Sequence, residues 1–215
     1  MIFFSHNTQH TTHNRMKVGI IGSGSMGSGI AQIAATFGHE VLLYDTNQAA
    51  LDKAKASYEK IFNRLIEKGK YTEAQKNEIL ERITLVTDIE NFHNCGLVIE
   101  AIIENIDIKK SVFKELECIV SDDCILASNT SSLSIASIAS ACNKADRVIG
   151  IHFFNPAPLM PLVEIIPAVQ TSEETLKKSK EIIDSWKKVT CIAKDTPGFI
   201  VNRVARPFYG EALKI

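Results

Sequence analysis

Along this chain the spacing of apolar residues switches repeatedly between every second position and about every 3.6, which marks out a series of strands and helices. Lys17 to Ile21 is a short β-rich run that ends at Gly22, and Ser25 to Phe37 continues with helical spacing until Gly38 stops it. Glu40 to Tyr44 reads as the second strand and ends at Asp45. Asn47 to Lys68 is a long amphipathic helix capped by Asn47 and stopped at Gly69, and Thr72 to Arg82 is a second helical piece with its own N-cap. Strands follow at Ile83 to Val86 and at Leu97 to Ile103, the latter apolar in the manner of a strand covered on both faces of a parallel sheet. Ile106 to Val120 is helix, Ile125 to Ser128 strand, and Leu133 to Ala141 helix. Arg147 to Phe154 and Leu162 to Ile166 are strands flanking the turn Asn155-Pro156-Ala157-Pro158. Ser172 caps a helix that runs to about Trp186, and Val189 to Ala193 is the last strand. Thr196-Pro197-Gly198 then breaks the pattern and opens a helix running to Ile215. Strand and helix alternate throughout, which predicts an open α/β domain.

Two constellations lie at the ends of these elements. Gly22-Ser23-Gly24-Ser25-Met26-Gly27 has G-x-G-x-x-G spacing and falls between a strand and a helix. In that setting the first glycine permits a tight turn, the second lets backbone approach a pyrophosphate, and the third lets helix and sheet pack closely. The helix N-terminus then offers N–H groups and a positive dipole end to phosphate. Asp45 stands 18 residues after Gly27, at the end of the second strand. A carboxylate there accepts ribose hydroxyls and repels a 2′-phosphate, which points to NAD rather than NADP.

His152 ends a strand in an apolar setting, where a histidine is ordinarily a satisfied core residue. If the two strands about Pro158 pair antiparallel, Glu164 faces His152, each six residues from the pivot. A carboxylate placed there would hold the imidazole tautomer and raise its basicity, and the acid itself would be costly to bury without such a partner. Ser128-Asn129-Thr130-Ser131-Ser132 follows a strand at the carboxyl end of the sheet, where open α/β sheets bind ligands. Those small polar groups fit two readings equally: hydrogen bonds to a substrate oxygen or nicotinamide, and an N-cap cluster for the next helix.

The chain resembles the 3-hydroxyacyl-CoA dehydrogenase family, close to its short-chain 3-hydroxybutyryl-CoA members, through GSGSMGSGIA, VIEAIIEN, ILASNTSSLSI, GIHFFNPAPLMPLVEII and KDTPGFIVNR. The resemblance runs from Met16 to Ile215. It implies a Rossmann-type doubly wound, mostly parallel sheet with a terminal antiparallel portion over 16–196, and over 197–215 the first helix of a truncated all-α domain. It implies that His152 is the catalytic base and Glu164 its partner, that Ser131 and Asn202 contact the reacting oxygens, and that Gly22 to Gly27 and Asp45 bind NAD. Glu104, Lys109, Ser131 and Asn155 match further cofactor-contacting positions, and Ser131 and Lys68 match contacts to the coenzyme A substrate. The implied reaction is reversible NAD-dependent oxidation of a 3-hydroxyacyl-CoA to the 3-oxoacyl-CoA. The alternative is an NAD-binding but catalytically incompetent fragment of such an enzyme. A 3-hydroxyisobutyrate-type dehydrogenase shares the glycine loop but relies on a catalytic lysine, and the HFFNP segment and Glu164 speak against it. Family members normally continue as a helical domain that supplies one wall of the cleft and much of a homodimer interface, so a dimer is doubtful for this chain. Pro161 stands where many relatives carry lysine, and Lys187-Lys188 replaces a more usual glycine-containing turn.

Composition narrows the remaining classes. The 215 residues are 45% hydrophobic and 23% charged, with a net charge of −1, so there is no overall basic field for nucleic acid. Apolar runs break at Glu100 and Glu104, far short of a membrane span. Cys95, Cys118, Cys124, Cys142 and Cys191 include no C-x-x-C pair, which argues against zinc and for buried thiols in a reducing, cytoplasmic setting. Residues 1–15 form a polar, His- and Thr-rich lead-in, expected to be a flexible extension, and Met16 is a plausible start. Any metal binding by His6, His10 and His13 there would be adventitious, and no metal is implied elsewhere.

Overall fold

The computed structural model describes residues 15–213. The N-terminal extension up to residue 14, with its three histidines, and the last two residues of the expected final helix lie outside the described residues. Eight strands form one sheet: β1 (Lys17–Ile21), β2 (Glu40–Tyr44), β3 (Ile83–Val86), β4 (Leu97–Glu100), β5 (Ile125–Ser128), β6 (Val148–Phe153), β7 (Leu162–Pro167) and β8 (Val189–Ile192). Their order is β3-β2-β1-β4-β5-β6-β7-β8, parallel from β3 to β6, with β7 antiparallel to β6 and β8 parallel to β7. The doubly wound sheet with a terminal antiparallel portion is therefore present. Its order reverses at β1, and the connections leaving the paired strands β1 and β4 run in opposite directions there, which opens the crevice where such sheets bind ligands.

Among the described residues there are seven α-helices, of which the first six pack on the sheet: α1 (Ser25–Thr36), α2 (Gln48–Glu67), α3 (Glu73–Glu81), α4 (Ile106–Ile119), α5 (Ile135–Ala139), α6 (Glu173–Ser185) and α7 (Val201–Ala212). Asn47 caps α2 through a bond from Ala49 N, and Thr72 and Gln75 close a full capping box on α3. Period-two alternation sorts the strand side chains between two cores. Val18, Ile20, Leu97, Ile99, Ala127, Ile151 and Val163 pack with helices α1, α2, α3 and α6. Val98, Leu126, Val148 and Ile166 pack on the opposite face with α4 and α5. By the same parity Glu100, Ser128, His152 and Glu164 all point to that second face.

The structure corrects several boundaries. β4 stops at Glu100 rather than Ile103, because Glu100 Oε1 accepts the Ile102 N–H and turns the chain out of the sheet, leaving Ile103 exposed. A 3-10 turn at Ile89–Asn94, capped by Asp88, fits neither period, so the apolar spacing does not predict it. α7 starts at Val201 rather than Gly198, since Gly198 (φ 77°) and Phe199 (φ 47°) are both left-handed. Phe199 is thereby buried in the second core, while Val204, Phe208 and Leu213 stay exposed on α7. Of the five thiols, Cys95, Cys124 and Cys142 are buried as expected, but Cys118 is exposed on α4.

Lys187, just past the end of α6, has φ 54° and donates its N–H to the Asp184 carbonyl. That is the helix-ending position where glycine is free of the roughly 1–2 kcal/mol penalty an L side chain meets. The side chain is exposed, so no packing is lost on removing it. Lys187→Gly should raise stability by about 0.5–1 kcal/mol after the added unfolded-state entropy, or roughly 2–4 °C in Tm. Thermal unfolding checks this, and an unchanged or lower Tm would contradict it.

Candidate active site

The glycine loop leads from β1 into α1 at the crevice. Gly22 has φ 95°, and a Cβ on it would lie 2.7 Å from the Ala101 carbonyl oxygen. A Cβ on Gly27 would lie 1.8 Å from the Gly22 oxygen, so only glycine lets α1 approach the strand. Gly24 differs: a Cβ there meets no protein atom within 4 Å, so its absence serves no internal contact and leaves a cradle open at the head of α1. Gly24 is also the N-cap of α1 and supplies no capping side chain, and the first turn carries no acid. Open N–H groups, positive dipole and a bare backbone together fit a pyrophosphate. Asp45 directly follows β2, beside this loop. Its Oδ2 accepts from Ser23 N (2.9 Å) and Ser23 Oγ (2.8 Å), and its Oδ1 from Asn47 N (3.0 Å). Partial burial would raise the carboxyl pKa, but the Ser23, Asn47 and Thr46 hydrogen bonds outweigh it and hold the group ionised below its ordinary range.

The β6–β7 register places His152 opposite Glu164, as the pairing about Pro158 requires. His152 Nδ1 lies 2.8 Å from Glu164 Oε2, and both side chains are buried. A carboxylate only accepts, so Nδ1 carries the proton and Nε2 is left as the basic nitrogen. The other oxygen, Oε1, accepts the N–H groups of Ile200 and Val201, each at 2.9 Å. Glu164 thus caps α7, which has no side-chain cap of its own. Phe154 and Phe199 flank the imidazole at ring-centroid distances of 4.5 and 5.7 Å. Burial would raise the Glu164 pKa, but His152 and the two backbone donors hold it below the usual carboxylate range.

A second polar network joins the loops after β4 and β5. Buried Glu100 accepts from Lys109 Nζ (2.5 Å), Ile102 N (2.8 Å) and Ser128 Oγ (2.7 Å). Lys109, on α4, is also 3.5 Å from Glu104 Oε2. Glu104 Oε1 accepts from Thr130 Oγ1 (2.6 Å), Ser131 N (2.9 Å) and Ser131 Oγ (3.2 Å). Asn202, on α7, donates to the Ser131 carbonyl at 3.3 Å, and Asn129 ties this loop to β6 through the Phe153 N–H.

The structure therefore brings Glu104, Lys109, Ser131 and Asn202 into one linked group, with α7 joining it to His152 and Glu164. Asn155 comes to the head of α1, where Ser25 Oγ is 3.4 Å from its Oδ1. Lys68 is exposed at the C-cap of α2 and forms no hydrogen bond or ion pair with these groups. Of the two readings of Ser128 to Ser132, capping is only partly realised, since Ser134 and Asp195 cap α5 and Thr130 donates to Glu104. In the sequence Glu100 stands only as a break in an apolar run and Asn129 only as part of the polar segment after β5, and neither they nor Phe199 are assigned a place in the site, although a glutamate that interrupts an apolar strand is a signal in itself.

Residues 17–196 match the family model described as 3-hydroxyacyl-CoA dehydrogenase, NAD binding domain. The chain belongs to the 3-hydroxyacyl-CoA dehydrogenase family. It is 46% identical over 200 residues to a 3-hydroxybutyryl-CoA dehydrogenase of Clostridioides difficile, covering 93% of this chain and 71% of that relative. Among solved structures it is similar to 3-hydroxybutyryl-CoA dehydrogenase of Escherichia coli K12 (43% identity, TM-score 0.91, 94% of this chain and 43% of that one). It is also similar to (S)-3-hydroxybutyryl-CoA dehydrogenase of Ralstonia eutropha (42% identity, TM-score 0.89, 92% of this chain and 70% of that one). The family's NAD-binding domain and the cradle at Gly24 agree. No helix among the described residues is long and apolar enough to cross a membrane.

The depressed carboxyl of Glu164 makes this site a determinant of acid stability. Its pairing stabilises the fold fully above the unfolded carboxyl pKa of about 4.3 and is lost as pH falls through the lower folded value. Glu164→Gln should cost about 2–4 kcal/mol at pH 7 and show a shallower loss between about pH 4.5 and 3. Urea unfolding across that range checks it, and parallel pH curves for the two proteins would contradict it.

Proposed function

We propose that this chain catalyses reversible oxidation of a 3-hydroxyacyl-CoA to the 3-oxoacyl-CoA with NAD, His152 acting as base and Glu164 as its orienting partner. The observation that carries this reading is the buried 2.8 Å Nδ1–carboxylate contact at the carboxyl end of the same sheet that bears the glycine loop. NAD, when bound, supplies the hydride acceptor, and its pyrophosphate would be held by Gly22 to Gly27 and its ribose by Asp45. His152 Nε2 takes the hydroxyl proton as the C–O bond becomes a carbonyl, and returns it in the reverse direction. Glu164 stabilises the imidazolium formed in that step. Ser131 and Asn202 would hydrogen-bond the reacting oxygens, and Glu104, Lys109 and Asn155 would line the nicotinamide side. Lys68, with Arg64 and Lys70 close in sequence, would meet a coenzyme A phosphate. The relatives' names favour a short acyl chain.

Two outcomes follow. NADH should bind more tightly than NADPH, and Asp45→Ala should narrow the gap; calorimetric titration decides it, and equal affinities in the unaltered protein would contradict the assignment. His152→Gln should lower reduction of 3-oxobutyryl-CoA by roughly 100-fold or more while leaving NADH affinity unchanged. Near-normal rates would refute the base.

A further inference from the structure

Glu100 is wholly buried (0% side-chain exposure), and its partner Lys109 is 1% exposed. Burying such a pair costs more than burying apolar side chains of the same size. Its placement is specific. Glu100 ends β4 in register with Ile21, the last residue of β1 before Gly22, and with Ser128, the last residue of β5. It therefore lies at the floor of the crevice, where the connections leaving β1 and β4 separate. Each oxygen is used within the protein, by Lys109, Ile102 N and Ser128, so Glu100 has no acceptor aimed at a ligand.

What Glu100 contributes beyond its hydrogen bonds is charge. Lys109 answers two carboxylates, Glu100 at 2.5 Å and Glu104 at 3.5 Å. With both acids ionised, the triad carries one net negative charge between the loops after β4 and β5. Without Glu100, Lys109 and Glu104 would cancel. A nicotinamide ring is formally positive in the oxidised cofactor and neutral in the reduced one, so a fixed negative charge beside it distinguishes the two forms.

We infer that the Glu100–Lys109–Glu104 triad biases the site toward the oxidised cofactor, with Glu100 the positioning residue that sets its charge without touching cofactor or substrate. The inference rests on the NAD reading of the site. Through it, the protein would shift the equilibrium between bound hydroxyacyl and bound oxoacyl states by holding NAD relative to NADH, independently of His152.

The test is the ratio of NAD to NADH affinity, read by calorimetry and by NADH fluorescence. Glu100→Gln keeps an oxygen for Lys109 and Ile102 N and an amide that donates to Ser128 Oγ, while removing the charge. It should weaken NAD relative to NADH by about three- to tenfold, and Glu100→Asp should restore the ratio. A purely structural residue would weaken both forms alike, and an unchanged ratio in folded Glu100→Gln would overturn the inference. If Glu100→Gln does not fold, Glu104→Gln neutralises the same triad at its more exposed member (38%) and must shift the ratio in the same direction, failing which the inference falls. Failure of the unaltered protein to bind either cofactor would instead overturn the NAD reading, and this inference with it.

Discussion

Both oxygens of one buried carboxylate are committed in opposite directions. Glu164 Oε2 fixes the His152 imidazole, and Oε1 holds the N–H groups of Ile200 and Val201, the N-cap and first residue of α7. A carboxylate there would be expensive to bury alone, and a helix start without a cap would leave donors unsatisfied. Each cost is met by the other, so the basic nitrogen and the position of α7 are set by one side chain. Asn202 on α7 then reaches the Ser131 carbonyl, which links this unit to the loop after β5. Phe199 accepts a left-handed backbone so that its ring can close the core beside His152.

The sheet makes this arrangement possible through parity. Glu100 and Ser128 are in register with Gly150, two residues before His152 on β6, and all their side chains, with that of Glu164, point to the α4 and α5 face. The opposite face is filled by apolar residues from the same strands. A shift of one residue in any of these strands would exchange a polar group for an apolar one. The ladder therefore fixes which face carries the His152–Glu164 pair, while the glycine loop and Asp45 lie together at the ends of β1 and β2.

Much of this was legible in the residues themselves. β1, β2, β3 and β5 end where glycine, an acid or a small polar residue interrupts an apolar run, and their boundaries follow directly. The His152–Glu164 register followed from a proline turn between two strands. Other features depend on tertiary contacts that no period reveals. Ile102 and Ile103 are as apolar as a strand needs, yet Glu100 captures the Ile102 N–H and ends β4 first. Lys109 precedes Lys110 on an amphipathic helix and looks like a solvated charge until Glu100 is placed beneath it. The start of α7 turned on two left-handed residues, of which only Gly198 announces itself.

At the centre of the site, the Glu164 carboxylate holds the proton on His152 Nδ1 and leaves Nε2 as the acceptor nitrogen. Long-range proton–nitrogen NMR of the imidazole, assigned by loss of the signal in His152→Gln, reads this directly. A protonated Nδ1 with a downfield N–H resonance, an unprotonated Nε2, and loss of that resonance in Glu164→Gln are the expected result. A proton on Nε2 at neutral pH, or a resonance indifferent to Glu164→Gln, would contradict it.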